Sequence, residues 1–142
     1  MRVTLDTNVL ISATFWKGDS DRIIELAEHG KIELILSPAI IEEFLKVLDY
    51  KEIQEKIVGK NLRMRRPIEK IISIAAIVIP KRLIDIVKED PADNKIFECA
   101  IEGKAGFVVS QDKHLLRISE YGGVKVVSPR ELLGLLEKNS PG

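Results

Sequence analysis

A single cysteine, 5% aromatic residues and no excess of either charge set the first bounds on this 142-residue chain. Cys99 has no partner for an internal disulfide, so a disulfide-stapled fold is excluded and a reducing cytoplasm is the expected setting. Lysine plus arginine number 22, as do aspartate plus glutamate, so the formal net charge is zero. That balance excludes a grip on nucleic acid through bulk charge, though not through a local basic patch. Aromatic side chains are too few for a base-stacking platform. The longest uncharged apolar run, residues 71–80, is too short to cross a bilayer. Asp6 interrupts the N-terminal apolar run and no cleavage-type segment follows, so no secretory leader is expected. Glutamine is scarce beside isoleucine, lysine and glutamate, a balance that fits a heat-adapted source.

What is present reads as one globular domain over residues 1–142, with 45% hydrophobic and 31% charged residues. Val3 and Leu5 form a short strand that stops on Asp6, in the polar turn Asp6-Thr7-Asn8, before apolar character resumes at Val9, Leu10 and Ile11. Residues 15–18 read as a loop. A helix is expected over 21–29, capped by Asp19 or Ser20, stopped by Gly30, and burying Ile23, Ile24, Leu26 and Ala27. A strand over 32–36 leads into Ser37-Pro38, a cap and first-turn pair opening a helix that turns Ile40, Phe44, Val47 and Leu48 inward. Helical stretches follow over 51–58 and 61–75, separated by Gly59, with Pro67 breaking or kinking the second.

A strand over 76–79 and an irregular acidic segment over 84–91 come next. The remaining expectations are a helix over 93–104, a strand over 106–109, a helix over 112–118, a strand over 124–127 and a helix over 129–138. Short, apolar, non-alternating strands between helices signal a buried, mainly parallel sheet of about five strands. The expected fold is therefore a doubly wound α/β domain with three layers, α/β/α.

In such sheets ligands bind beyond the carboxyl ends of the strands. Asp6 ends the first strand there, as a turn residue bonding nearby amides or as a ligand. Asp112, after the strand at 106–109, is either a helix cap or a second such acid. Asp93 shares a helical face with Ile96, Phe97 and Ala100, so it heads a buried stripe. Glu42 lies four residues before Lys46, the order of an exposed ion pair, whereas Glu43 borders the buried face. Hard divalent cations such as magnesium or manganese prefer carboxylate oxygens of this kind. Paired metals in such sites activate water and stabilise the leaving oxygen in phosphodiester cleavage.

The four acids lie in motifs that resemble those of the PIN domain, a ribonuclease fold used by many toxins of prokaryotic toxin–antitoxin pairs. Leu5-Asp6-Thr7-Asn8-Val9-Leu10 resembles the opening D-T-N motif. In Ser37-Pro38-Ala39-Ile40-Ile41-Glu42-Glu43, the glutamate six residues after the serine is Glu43. Asp90-Pro91-Ala92-Asp93-Asn94-Lys95 resembles the third motif, and Val109-Ser110-Gln111-Asp112 the closing S/T-x-D. The resemblance covers nearly the whole chain. It implies a magnesium- or manganese-dependent endoribonuclease cleaving single-stranded RNA by metal-activated water, without a covalent intermediate. Asp6, Glu43, Asp93 and Asp112 are then catalytic metal ligands, and Thr7, Asn8 and Ser110 supporting polar residues. It also implies a homodimer or higher oligomer and a small antitoxin partner.

The basic stretch Lys60-Asn61-Leu62-Arg63-Met64-Arg65-Arg66 matches no family motif. Arg63, Arg65 and Arg66 are either RNA-phosphate contacts or a solvated helix face. His29 suits a helix C-terminus, His114 lacks zinc-like partners, Cys99 reads as a packed thiol, and Trp16 as a hydrophobic anchor. Two rivals remain. A phosphotransfer domain of the receiver or haloacid-dehalogenase type also gathers aspartates at strand ends. The dehalogenase pattern, however, needs an aspartate where Asn8 stands. The other rival is a catalytically inactive PIN-like module binding RNA or protein.

Overall fold

Apolar strands buried on both faces need helices above and below them, and the chain supplies both layers. The computed structural model describes residues 1–88 and 90–138. The expected domain span of 1–142 includes Glu89 and residues 139–142, which lie outside the described residues. In order the elements are β1 (Arg2–Leu5), α1 (Thr7–Phe15), α2 (Asp19–Glu28), β2 (Glu33–Leu36), α3 (Pro38–Leu48), α4 (Lys51–Gly59), α5 (Ile68–Ile74) and β3 (Ala76–Ile77). After a 3-10 turn at Pro91–Asp93 follow α6 (Asn94–Glu102), β4 (Phe107–Val109), α7 (Lys113–Ile118), β5 (Glu120–Tyr121), β6 (Val124–Val127) and α8 (Pro129–Lys138).

The strands form one sheet in the order β3-β2-β1-β4-β6-β5, parallel except for β5. The chain winds outward from β1 to β2 and β3, then returns to β4 on the other side of β1. The strand order therefore reverses between β1 and β4. Right-handed crossovers place the helices of these two journeys on opposite faces. The packing agrees: α1 lies on α2, and α2 on α5 and α8, whereas α6 spans β1, β2, β4 and β6. Val3, Leu5, Leu34, Ile35, Leu36, Val108 and Val109 fill the centre of the sheet, with Phe44 and Phe97 fully buried against it.

The fold is the expected doubly wound α/β architecture, with differences in its parts. α1 has no counterpart in the sequence reading. Val9, Leu10, Ile11, Ala13 and Phe15 are all buried, so the helix is apolar nearly all round and shows no amphipathic period. The sheet has six strands because β5 pairs antiparallel with β6 through Gly122 and Gly123, both at positive φ. A two-residue hairpin turn of that hand favours such glycines. The helix expected over 61–75 forms only at Ile68–Ile74. Asn61 adopts φ 51° beyond the end of α4, and Pro67, lacking an N–H, can start α5 but not continue a helix into it.

The irregular segment before α6 is tied along that helix. Asn94, Glu98 and Glu102 recur every four residues, so they share one face. Asn94 Oδ1 accepts the backbone N–H groups of Ile86 and Val87, both at 2.8 Å. Glu98 accepts that of Ile84 at 2.9 Å, and Glu102 that of Lys81 at 2.9 Å. The segment thus runs antiparallel to α6, its amides satisfied by side chains in place of a neighbouring strand. Among the described residues, no helix is long and apolar enough to cross a membrane.

Candidate active site

β1 delivers Asp6 to the crevice where the strand order reverses, the usual ligand position in open α/β sheets. Asp6 is 4% exposed and its two oxygens are separately engaged. Oδ1 accepts the Val9 N–H at 2.9 Å, which caps α1, and Oδ2 accepts the hydroxyl of Ser110 beyond β4. Burial pushes its carboxyl up to about 6, opposed by those two hydrogen bonds and reinforced by the charges of Asp112 and Glu43. Asp6 is therefore both a turn residue and a member of an acidic cluster.

Ser110 Oγ also accepts the Asp112 N–H at 2.9 Å, tying the β4 terminus to the start of α7. Asp112 caps α7 by accepting the His114 N–H at 2.8 Å. Glu43 enters from α3, which Ser37 and Pro38 start as expected, and is half-buried beside the fully buried Phe44. Its Oε2 accepts the Thr7 hydroxyl at 3.0 Å and lies 2.6 Å from Lys95 Nζ. Glu42 is exposed, as expected of its helix position.

Asp93 stands at the N-cap of α6 but makes no capping hydrogen bond, which leaves its carboxylate for the crevice. Its carboxyl is raised to about 7 by burial first, then by the charges of Asp90, Asp112, Glu43 and Asp6. Asp6, Glu43, Asp93 and Asp112 thus arrive from four parts of the chain, close enough that the charges of Glu43 and Asp112 act on both Asp6 and Asp93. Oxygen donors under such mutual repulsion suit a hard cation. As they stand, with Glu43 turned to Lys95 and Thr7, no three such side chains among the described residues enclose an ion.

Of the supporting residues, Thr7 and Ser110 are buried and bonded to acids, whereas Asn8 is exposed in the first turn of α1. The arginines lie elsewhere. Arg66 binds Asp21 at 2.6 Å, Glu28 at 3.1 Å and the Ala13 carbonyl at 2.8 Å, and Arg65 binds Asp21 at 3.1 Å. Arg63 is exposed. Sequence reasoning did not single out Asp90, Asn94 or Lys95. Asn94 and Lys95 flank Asp93 in the motif, but helical periodicity assigns Lys95 to solvent, and only the tertiary contact with α3 reveals it.

The fold and the site define an α/β domain with a carboxylate cluster at its switch point, suited to hard divalent cations. A family model for the PIN domain matches residues 2–114, and the chain belongs to the PIN-domain family. PIN domains are generally metal-dependent nucleases, and they typically bind divalent metals. No curated protein and no solved structure matches the chain.

Proposed function

We propose that this PIN domain is a magnesium- or manganese-dependent endoribonuclease that cleaves single-stranded RNA, and that it is the toxin of a toxin–antitoxin pair. The observation that carries the reading is the electrostatic coupling of Asp6, Glu43, Asp93 and Asp112 at the β1–β4 crevice. These four carboxylates would hold the cation. A bound magnesium or manganese ion supplies charge stabilisation and an activated water for phosphodiester hydrolysis. Ser110 fixes Asp6, and through the backbone of Asp112 it fixes the neighbouring acid. Thr7 orients Glu43 from the first turn of α1. The toxin role rests on the family resemblance of the motifs. It brings a small antitoxin and a homodimer or higher oligomer as partners, and the cytoplasm as the setting.

The test is cleavage of a labelled single-stranded RNA by the purified protein in manganese or magnesium. Chelator should abolish it. Asp6→Asn and Asp93→Asn should each lower the rate by about 100-fold or more, the scale of losing one charge-stabilising group, with unchanged circular dichroism. Unchanged cleavage in both variants overturns the assignment. The toxin role is tested separately by growth arrest on expression, with rescue by a small protein encoded next to it. Normal growth overturns that part.

A further inference from the structure

Lys95 brings a positive charge of the chain's own into the acid cluster. Its Nζ lies 2.6 Å from Glu43 Oε2, the two side chains being 21% and 27% exposed. The same oxygen accepts the Thr7 hydroxyl at 3.0 Å. Lys95 occupies the first turn of α6, next to Asn94, whose side chain bonds the backbone of Ile86, Val87 and Pro91. The backbone carrying the ammonium is therefore well anchored. Glu43 belongs to α3, so the ion pair joins two helices packed together beside the crevice.

We infer that Lys95 is a built-in counter-ion: it holds Glu43 in place and competes with a divalent cation for that carboxylate. The inference rests on reading the acid cluster as a metal site. Without a bound cation, four neighbouring carboxylates repel, and an ammonium at contact distance from one of them offsets part of that repulsion. A cation taking Glu43 as a ligand must draw its Oε2 away from Lys95 and Thr7, or share it with them. The two cations thus bind Glu43 at each other's expense, and this coupling is reciprocal. Removing the ammonium deepens the negative potential and frees Glu43, so a divalent cation binds more tightly. A bridge that merely joined α3 to α6 would act differently. Its loss would lower stability equally with and without the cation and leave affinity unchanged.

The experiment is calorimetric titration of the metal-stripped full chain with manganese, paired with thermal melts with and without manganese. Lys95→Met should bind manganese about tenfold more tightly than wild type, within the usual range of coupling between sites. Its melting temperature should be lower without metal and should rise more on adding manganese. Lys95→Arg, which keeps the charge, should stay near wild type, and Lys95→Gln should follow Lys95→Met, so the inference does not hang on one variant. In a Glu43→Gln background, Lys95→Met should produce no further tightening. Equal or weaker manganese affinity in Lys95→Met and Lys95→Gln overturns the inference, as does full tightening in the Glu43→Gln background. In either case wild-type binding still leaves the metal-site reading standing. A wild-type protein that binds no manganese overturns both.

Discussion

The guanidinium of Arg66 reaches three partners at once, Asp21, Glu28 and the carbonyl of Ala13, with its side chain only 9% exposed. Asp21 is buried, and burial alone would raise its carboxyl. The hydrogen bonds and charges of Arg66 and Arg65 outweigh that and hold it below the ordinary value. The same arginines draw the segment after α4 onto the end of α1, where the Arg65 N–H bonds the Thr14 carbonyl at 2.7 Å. Breaking a buried pair by removing one member strands the other's charge, at a cost of about 3–5 kcal/mol. Arg65 stays on Asp21, so Arg66→Ala should lower the unfolding free energy by part of that amount, about 2–3 kcal/mol, in urea titrations. Arg63→Ala, at an exposed position, should change it by less than about 0.5 kcal/mol. The end of a run that reads as a basic face in one dimension, Arg65 and Arg66, is here a clamp, because its carboxylate partners lie far away in sequence.

Among the elements, α6 does the most to shape the site. It crosses four strands, presents Asp93 at its head, and catches the preceding segment with Asn94, Glu98 and Glu102. Its lower end comes so near β2 that no side chain fits at Gly103. A Cβ there would stand 2.3 Å from Ile35 Cγ2, and Ile35 is fully buried, so it has no room to yield. Gly103→Ala should cost about 1–3 kcal/mol by overpacking. At Gly134, inside α8, a Cβ would have open space around it for 4 Å. Gly134→Ala should instead stabilise by about 0.5–1 kcal/mol, since alanine is the better helix former. Paired thermal melts check both signs. Equal effects at the two positions would contradict the close approach of α6 to β2.

For the whole molecule, the acid cluster makes stability depend on pH. Asp6 and Asp93 have carboxyls raised in the fold to about 6 and about 7, against an ordinary value of 3.8. Between those limits the folded state binds more protons than the unfolded one. Stability from these groups is therefore present below the ordinary value and lost as pH rises through 6 and 7. In chelator, the melting temperature of the wild type should fall from pH 5 to pH 8 relative to an Asp6→Asn, Asp93→Asn double variant. Manganese, by favouring the ionised carboxylates, should reduce the fall in wild type, and its affinity should rise over the same interval. Parallel melting curves for wild type and double variant across that range would rule out the coupling.

Much of this protein was legible locally. Ser37-Pro38 announced the start of α3, short apolar runs marked β1, β2, β4 and β6, and Asp6, Asp93 and Asp112 each stood where a strand ended or a helix began. Those three settings made Asp6, Asp93 and Asp112 candidates, and the border of the buried face of α3 made Glu43 one. α1 was not legible, because a helix buried on all sides leaves no periodic trace, and β5 escaped although Gly122-Gly123 carried a hairpin signal. What only the tertiary structure decided is the meeting of these acids, along with Lys95 at Glu43 and Arg66 at Asp21. The reason is the strand order. Placing β4 beside β1 after the chain has gone out to β3 is a long-range pairing, and residue spacing within any one element does not encode it.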